Sequence, residues 1–175
     1  MKFNHLKGYE SVTLPTETID GKRYYTTPEG KHYPSVTSVT GLMNRKGIEA
    51  WRKWGGEEQA NKISSQAANR GTRYHYMMED FINNIDIDAR LAKATPLDQM
   101  MFNQTREITE KLGDIYMLEG SLYSDELMMA GRVDCIADFA GKISVIDFKT
   151  STKRKTPSRC KSYFVQETAY AKMFE

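Results

Sequence analysis

The feature that most constrains this chain is a pair of β-rich runs that meet at Ala140-Gly141. The first carries Gly131-Arg132-Val133-Asp134. The second runs through Ile146-Asp147-Phe148-Lys149-Thr150-Ser151. Residues 143 to 148 are a short, apolar, β-branched run, the mark of a strand buried on both faces. A two-residue turn at Ala140-Gly141 sets Asp134 directly opposite Asp147. Carboxylates opposed across a ladder repel by roughly 0.2–1 kcal/mol, and by more when buried with no cation between them. Lys149 lies two residues past Asp147, so its side chain leaves the same face. Two acids and a lysine on one face of a central hairpin make a divalent-cation site with an ammonium beside it.

A chain of 175 residues fits one domain with a full core. Its net charge of +2 is too small to identify a partner, so any nucleic-acid argument must rest on local clusters. The two cysteines, Cys135 and Cys160, fit a reducing compartment, and the lack of a CxxC pair argues against a zinc ribbon or an Fe–S cluster. No apolar stretch reaches bilayer-spanning length, and residues 1–10 carry neither a signal core nor an Arg-rich transit pattern. The expectation is a cytoplasmic protein with no membrane partner.

In chain order, residues 1–30 read as an N-terminal arm and the start of a hairpin, and 31–175 as the main domain. The hairpin spans residues 23–33, with its turn at Pro28-Glu29-Gly30. Residues 34–39 have a β-branched content that suggests a strand, yet Ser35 or Thr37 can cap a short helix running to Met43, and both readings stay open. Residues 47–54 read as a helix with Ile48, Trp51 and Trp54 on one side. Packing in the core is the preferred reading there, and base stacking in a single-strand channel the alternative. A polar helix follows over 57–69, Gly71 interrupts it, and a second helix runs from Thr72 to Asn83. His75 and Glu79 sit beside or within the apolar stripe of that second helix. The ordinary reading is a hydrogen-bonded core histidine with Glu79 holding a nearby donor, but His75 can also point at the cation site. Thr95 and Pro96 mark the N-cap and N1 of a long helix with Leu97, Met101, Ile108, Leu112 and Ile115 facing the core. Glu119, on a strand candidate over 117–123, is either a further acidic ligand or a surface residue, and the surface reading is preferred. Thr150 and Ser151 open a loop that holds Lys153, Arg154, Lys155, Arg159 and Lys161. A basic run next to an acidic pair fits phosphate binding beside a metal. Tyr163, Gln166, Tyr170 and Met173 share one face of the last helix.

Four motifs now stand in order: Gly71-Thr72-x-x-His75-x-x-x-Glu79, Gly131-Arg132-x-Asp134, Ile146-Asp147-Phe148-Lys149-Thr150-Ser151 and Gln166-x-x-x-Tyr170. In order and spacing they resemble the PD-(D/E)xK nuclease superfamily. Within it they are most similar to the RecB-like branch, which includes the mitochondrial genome maintenance exonucleases and related phage exonucleases. The resemblance covers residues 30–174 and includes Tyr33-Pro34-Ser35-Val36-Thr37. It implies an α/β (mixed α+β) fold with a restriction-endonuclease-like core, a central mixed β-sheet flanked by helices. It also implies DNA cleavage dependent on Mg²⁺ or Mn²⁺. By that resemblance His75, Asp134, Asp147 and the carbonyl of Phe148 hold metal, Lys149 orients or activates water, and Gln166 and Tyr170 brace the site. Relatives continue past the helix that carries Gln166 and Tyr170, so either the chain is a fragment or a partner chain completes the site.

These groups suit phosphodiester hydrolysis. A hard cation on carboxylates generates a hydroxide-like nucleophile and clamps the phosphate. Carboxylates suit Mg²⁺, while a nitrogen from His75 tilts preference toward Mn²⁺. A basic loop that holds the backbone without reading bases gives low sequence specificity. The functional expectation is a metal-dependent DNA exonuclease acting on single strands or free ends. The alternatives are a structure-specific or nicking endonuclease, or a non-catalytic DNA-binding module that keeps a nuclease fold.

Overall fold

The computed structural model describes residues 2–175 as an α+β arrangement. It contains two three-stranded sheets with six helices around them. The N-terminal sheet has the order β1 (Thr16–Ile19), β2 (Lys22–Thr26), β3 (His32–Pro34). Helices α1 (Val36–Gly41), α2 (Arg45–Gly55), α3 (Glu57–Ile82), α4 (Asp88–Lys93) and α5 (Pro96–Thr109) follow. The second sheet has the order β4 (Leu112–Ser124), β5 (Met129–Phe139), β6 (Lys142–Ile146), and α6 (Lys161–Phe174) closes the chain.

The second sheet is built around the turn that the sequence marks. Ala140 and Gly141 both have positive φ, 51° and 78°, as a type I′ hairpin requires. This fixes the register: Phe139 pairs with Lys142 and Cys135 with Ile146. The ladder ends there, one residue before Asp147, so the expected Asp134–Asp147 opposition falls just beyond the last paired residues. Four expectations are corrected here. First, β6 ends at Ile146 rather than Phe148, and it is an edge strand with Ile143 55% exposed, not a strand buried on both faces. Val145 and Ile146 instead flank an apolar groove with Ile108, Leu112 and Phe148. Second, the sheets are antiparallel, because short hairpin turns can make no other pairing. Parallel contacts occur only as isolated bridges, His5 with Ile115 and Ser35 with Ala130, among the described residues.

Third, the N-terminal residues are not a free arm. Phe3 is buried against Ile82, Leu112 and Ile115, and Leu14 packs with Tyr25 and Ala130. Fourth, α3 runs unbroken through Gly71. A glycine keeps its N–H and costs a helix only about 1 kcal/mol relative to alanine. Burial of Tyr74, Met77, Met78 and Ile82 just beyond it outweighs that cost.

The hairpin at Pro28–Gly30 and the Thr95-Pro96 helix start form as expected, and of the two readings open for residues 34–39 the helix forms, with Ser35 as its cap. Ser35 Oγ accepts from the Ser38 N–H at 2.9 Å, and Thr95 Oγ1 from the Asp98 N–H at 3.2 Å. The core face of α5 is different from the expected stripe. Phe102, Thr109 and Asp98 are buried, Leu97 and Ile108 are about half exposed, and Leu112 and Ile115 belong to β4. Helix α2 buries nothing, and Trp54 is 89% exposed, so the core reading of that helix is overturned.

Candidate active site

Asp134 lies in β5 and Asp147 just past the end of β6, and their surroundings treat them differently. The Asp147 side chain is 4% exposed. Its Oδ1 accepts from Gln166 Nε2 at 2.9 Å and contacts the Lys149 ammonium. Its Oδ2 is buried with no hydrogen-bond partner among the described residues. Asp134, in β5, accepts the Phe148 N–H on Oδ2 at 2.7 Å. That N–H has turned from the ladder to the carboxylate, which is why β6 stops at Ile146. Burial pushes the Asp134 carboxyl up to about 6; the negative Asp147 adds to the rise, and His75 and Lys149 oppose it.

Helix α3 delivers His75 from the opposite side. Its Nδ1 lies 3.6 Å from Asp134 Oδ2 and 4.0 Å from Glu119 Oε1. The Phe148 ring stands edge-on to both Tyr74 and His75, at 6.4 Å in each case, and walls the imidazole on its apolar side. The Glu119 carboxylate raises the His75 pKa most, against desolvation, which lowers it. Glu79 lies deeper along α3, and burial raises its pKa, with Glu119 adding to the rise.

Glu119 is not the surface residue that the sequence suggests. It sits in β4 between the pairs Leu118–Cys135 and Gly120–Val133, and so across from Asp134. Its φ of 51° is left-handed, which is uncommon for a non-glycine residue inside a strand. The carboxylate is held at 2.7 Å by Arg132 Nε, which also donates to the Glu119 carbonyl at 3.1 Å. His75, Glu119 and Asp134 each offer a ligand atom within 4.8 Å of the others. They line a polar cleft of about 490 Å³ together with Arg23, Thr72, Glu79 and Arg132. The sequence alone points to no role for Arg23 or Arg132. Arg132 stands inside the Gly-Arg-x-Asp motif, two residues from Asp134 and therefore on its face. Arg23 carries no local signal, since the first sheet brings it there.

The remaining expected residues divide. Gln166 is buried and reaches the centre directly. Tyr170 is buried in the apolar cluster with Val133 and Ile136, where its ring packs on Gly131. A Cβ on Gly131 would stand 2.7 Å from that ring, so this close approach requires glycine. Lys149 leans over the Tyr163 ring at 5.8 Å, and Lys155 does so at 4.4 Å. Thr150 lies beside Gly71 and receives a long contact, 3.4 Å, from Arg70. Ser151 binds its own loop at the Lys153 carbonyl, and Lys153 and Arg154 are exposed and do not reach the carboxylates.

No family model matches the chain. Curated relatives do. The human protein named mitochondrial genome maintenance exonuclease 1 is 26% identical over 134 residues, 70% of this chain and 38% of its own length. The Xenopus tropicalis protein of that name is 27% identical over 100 residues, 57% of this chain and 28% of its own. The mouse protein of that name is 26% identical over 133 residues, 69% of this chain and 38% of its own. The chain therefore spans less than two fifths of the length of these relatives. At about a quarter identity, the similarity supports a relationship to nucleases.

Proposed function

We propose that this chain carries a metal-dependent nuclease centre of the PD-(D/E)xK type that hydrolyses DNA phosphodiester bonds, acting from the ends of single strands. The observation that carries the reading is Asp147. A buried carboxylate with one oxygen satisfied by Gln166 and Lys149 and the other without a partner is costly unless a cation completes it. The donor set fits a hard divalent ion such as Mg²⁺ or Mn²⁺. By the resemblance it would comprise Asp134, Asp147 and the Phe148 carbonyl as oxygen ligands and His75 as a nitrogen ligand that favours Mn²⁺; His75 and Asp134 already stand together with Glu119, while Asp147 lies outside that group. Such an ion, when bound, supplies an acidified water and neutralises charge on the phosphoryl oxygens.

The chain's own residues divide the rest of the work. Gln166 fixes the Asp147 rotamer. Lys149, held by Asp147, orients the attacking water and stabilises developing negative charge. Tyr170 braces β5 through Gly131, so Asp134 cannot retreat. Glu119 fixes Arg132 at the cleft, where the guanidinium suits a phosphate. Thr150, Ser151, Lys153, Arg154 and Lys155 line the approach for the phosphate backbone and give little sequence preference.

The test uses single-stranded DNA labelled at either the 5′ or the 3′ end, with Mg²⁺ or Mn²⁺. Early release of a short labelled product from one end is expected, with a circular single strand spared. Asp147→Ala and Lys149→Ala are expected to abolish it. Metal-dependent cleavage that survives both substitutions would sink the reading. Cleavage of the circle would replace the exonuclease with an endonuclease.

A further inference from the structure

The strongest feature that the catalytic reading does not use is α2. It carries Arg45, Lys46, Arg52 and Lys53 against a single acid, Glu49, which Arg45 already holds at 2.7 Å. Lys46 and Lys53 have no carboxylate partner among the described residues. No residue of α2 is buried, and Trp54 near its end is 89% exposed. Leaving a tryptophan in water forgoes one of the largest apolar burials a side chain can make. An exposed aromatic ring with free lysines about a quarter turn to one side of it on the same helix matches the two halves of an unpaired nucleotide: a base to stack on and a phosphate to neutralise.

The placement fits the same substrate. Asn44, just before α2, donates to Ser162 Oγ at 3.0 Å, which ties the start of α2 to the start of α6. One turn along α6, Gln166 holds Asp147. From there α2 extends for its 11 residues, about 16 Å, and α3 then carries the chain to His75. A strand lying along α2 therefore runs from the rim of the carboxylate centre to Trp54. We infer that Trp54, with Lys46 and Lys53, is a stacking platform for single-stranded DNA, set a helix's length from the hydrolytic centre. A duplex is excluded because its base faces are already stacked. The direction of the strand rests on the nuclease reading, but the binding does not.

The experiment measures binding of a fluorescent single-stranded oligonucleotide, and of a blunt hairpin duplex of the same sequence, by the full chain in EDTA. Without divalent metal, binding is read independently of cleavage. Trp54→Ala is expected to weaken single-strand binding about tenfold or more, the effect of losing one base stack, and to leave the duplex unchanged. Trp54→Phe should recover most of the loss. Lys46→Ala with Lys53→Ala should flatten the salt dependence, the slope falling by about 0.7 for each phosphate that a lysine no longer neutralises. Unchanged single-strand binding by Trp54→Ala would overturn the inference. So would an equal loss on the duplex, or a change in oligomeric state by sedimentation without a change in binding. Because Trp54 packs in no core cluster, the variant should keep the wild-type melting temperature. Failure of the nuclease reading would appear separately, as no cleavage by the wild-type chain in Mn²⁺ while Trp54-dependent binding persists.

Discussion

Helix α3 is one continuous helix with two dissimilar halves. From Gly71 to Ile82 it buries Tyr74, Met77, Met78 and Ile82, packs on α5 and presents His75 to the carboxylates. From Glu57 to Arg70 it buries only Ala60. The outer half is held mainly by local preference, with one tie to α2 where Arg52 donates to Asn61 Oδ1 at 2.5 Å. Ala60, Lys62, Gln66, Ala67 and Ala68 are good helix formers, and Glu57 and Glu58 lie at the positive end of the helix dipole. The inner half is held by packing. Once the inner half is fixed, the outer half adds one hydrogen bond per residue without a new nucleus. A helix rooted at one end can therefore reach into solvent beside the site, and its length says nothing about how deeply it is buried.

The largest test of that contrast is a pair of truncations. Met78 is fully buried in the cluster of Tyr74, Met77, Ile87 and Phe102, so Met78→Ala is expected to lose about 2–5 kcal/mol. Ile63, in the outer half, is 42% exposed, and Ile63→Ala should stay within about 0.5 kcal/mol of wild type. Urea unfolding measures both. Equal losses would mean that the outer half packs as firmly as the inner one.

A second test falls at the junction. Arg73 on α3 grips Asp98 on α5 through Nε at 2.8 Å and Nη2 at 3.2 Å, and Asp98 also accepts the Thr95 hydroxyl at 2.8 Å. The Arg73 guanidinium holds the Asp98 carboxyl below its ordinary value, with Thr95 assisting. The folded pKa lies below the unfolded one. The stabilisation is therefore complete above the ordinary carboxylate range and is lost as pH falls through the lower, folded value. Asp98→Ala removes charge-assisted bonds and part of a helix cap, a loss of about 1–3 kcal/mol at pH 7. The gap between wild type and variant should narrow below pH 4. A constant gap in melting experiments from pH 7 to pH 2.5 would detach the stabilisation from the ion pair.

How much of the fold and the site is legible in the sequence depends on how local the cause is. The Ala140-Gly141 turn and the Thr95-Pro96 helix start follow from a few adjacent residues, and both form, while the ladder stops at Cys135–Ile146, one pair short of the expected Asp134–Asp147 opposition. The convergence of His75, Gln166 and Lys149 on the aspartates follows from the order of motifs. Glu119 is legible only as the less favoured of two readings, an acidic ligand rather than a surface residue, because alternation along a strand does not reveal its left-handed backbone. Helix α2 misleads for a related reason. Periodicity locates an apolar face but does not say whether anything covers it. The α5 stripe fails because the periodic residues run across a helix end into β4.

The smallest test concerns the point where the two halves of α3 meet. Gly71 is helical, and a Cβ placed there would meet only Thr150 Oγ1, at 4.0 Å, an ordinary contact. Gly71→Ala should therefore stabilise the protein by about 0.5–1 kcal/mol, the usual gain for replacing glycine inside a helix. Because the outer half hangs on propagation from Gly71, its amides should exchange more slowly in the variant while those of Tyr74 to Ile82 stay unchanged. Loss of stability would mean that the loop opening at Thr150 approaches α3 more tightly than 4.0 Å during function or folding. Unchanged exchange in Glu57–Arg70 would mean that the outer half is held by contacts of its own, and the division of α3 into a packed root and a propagated strut would fail.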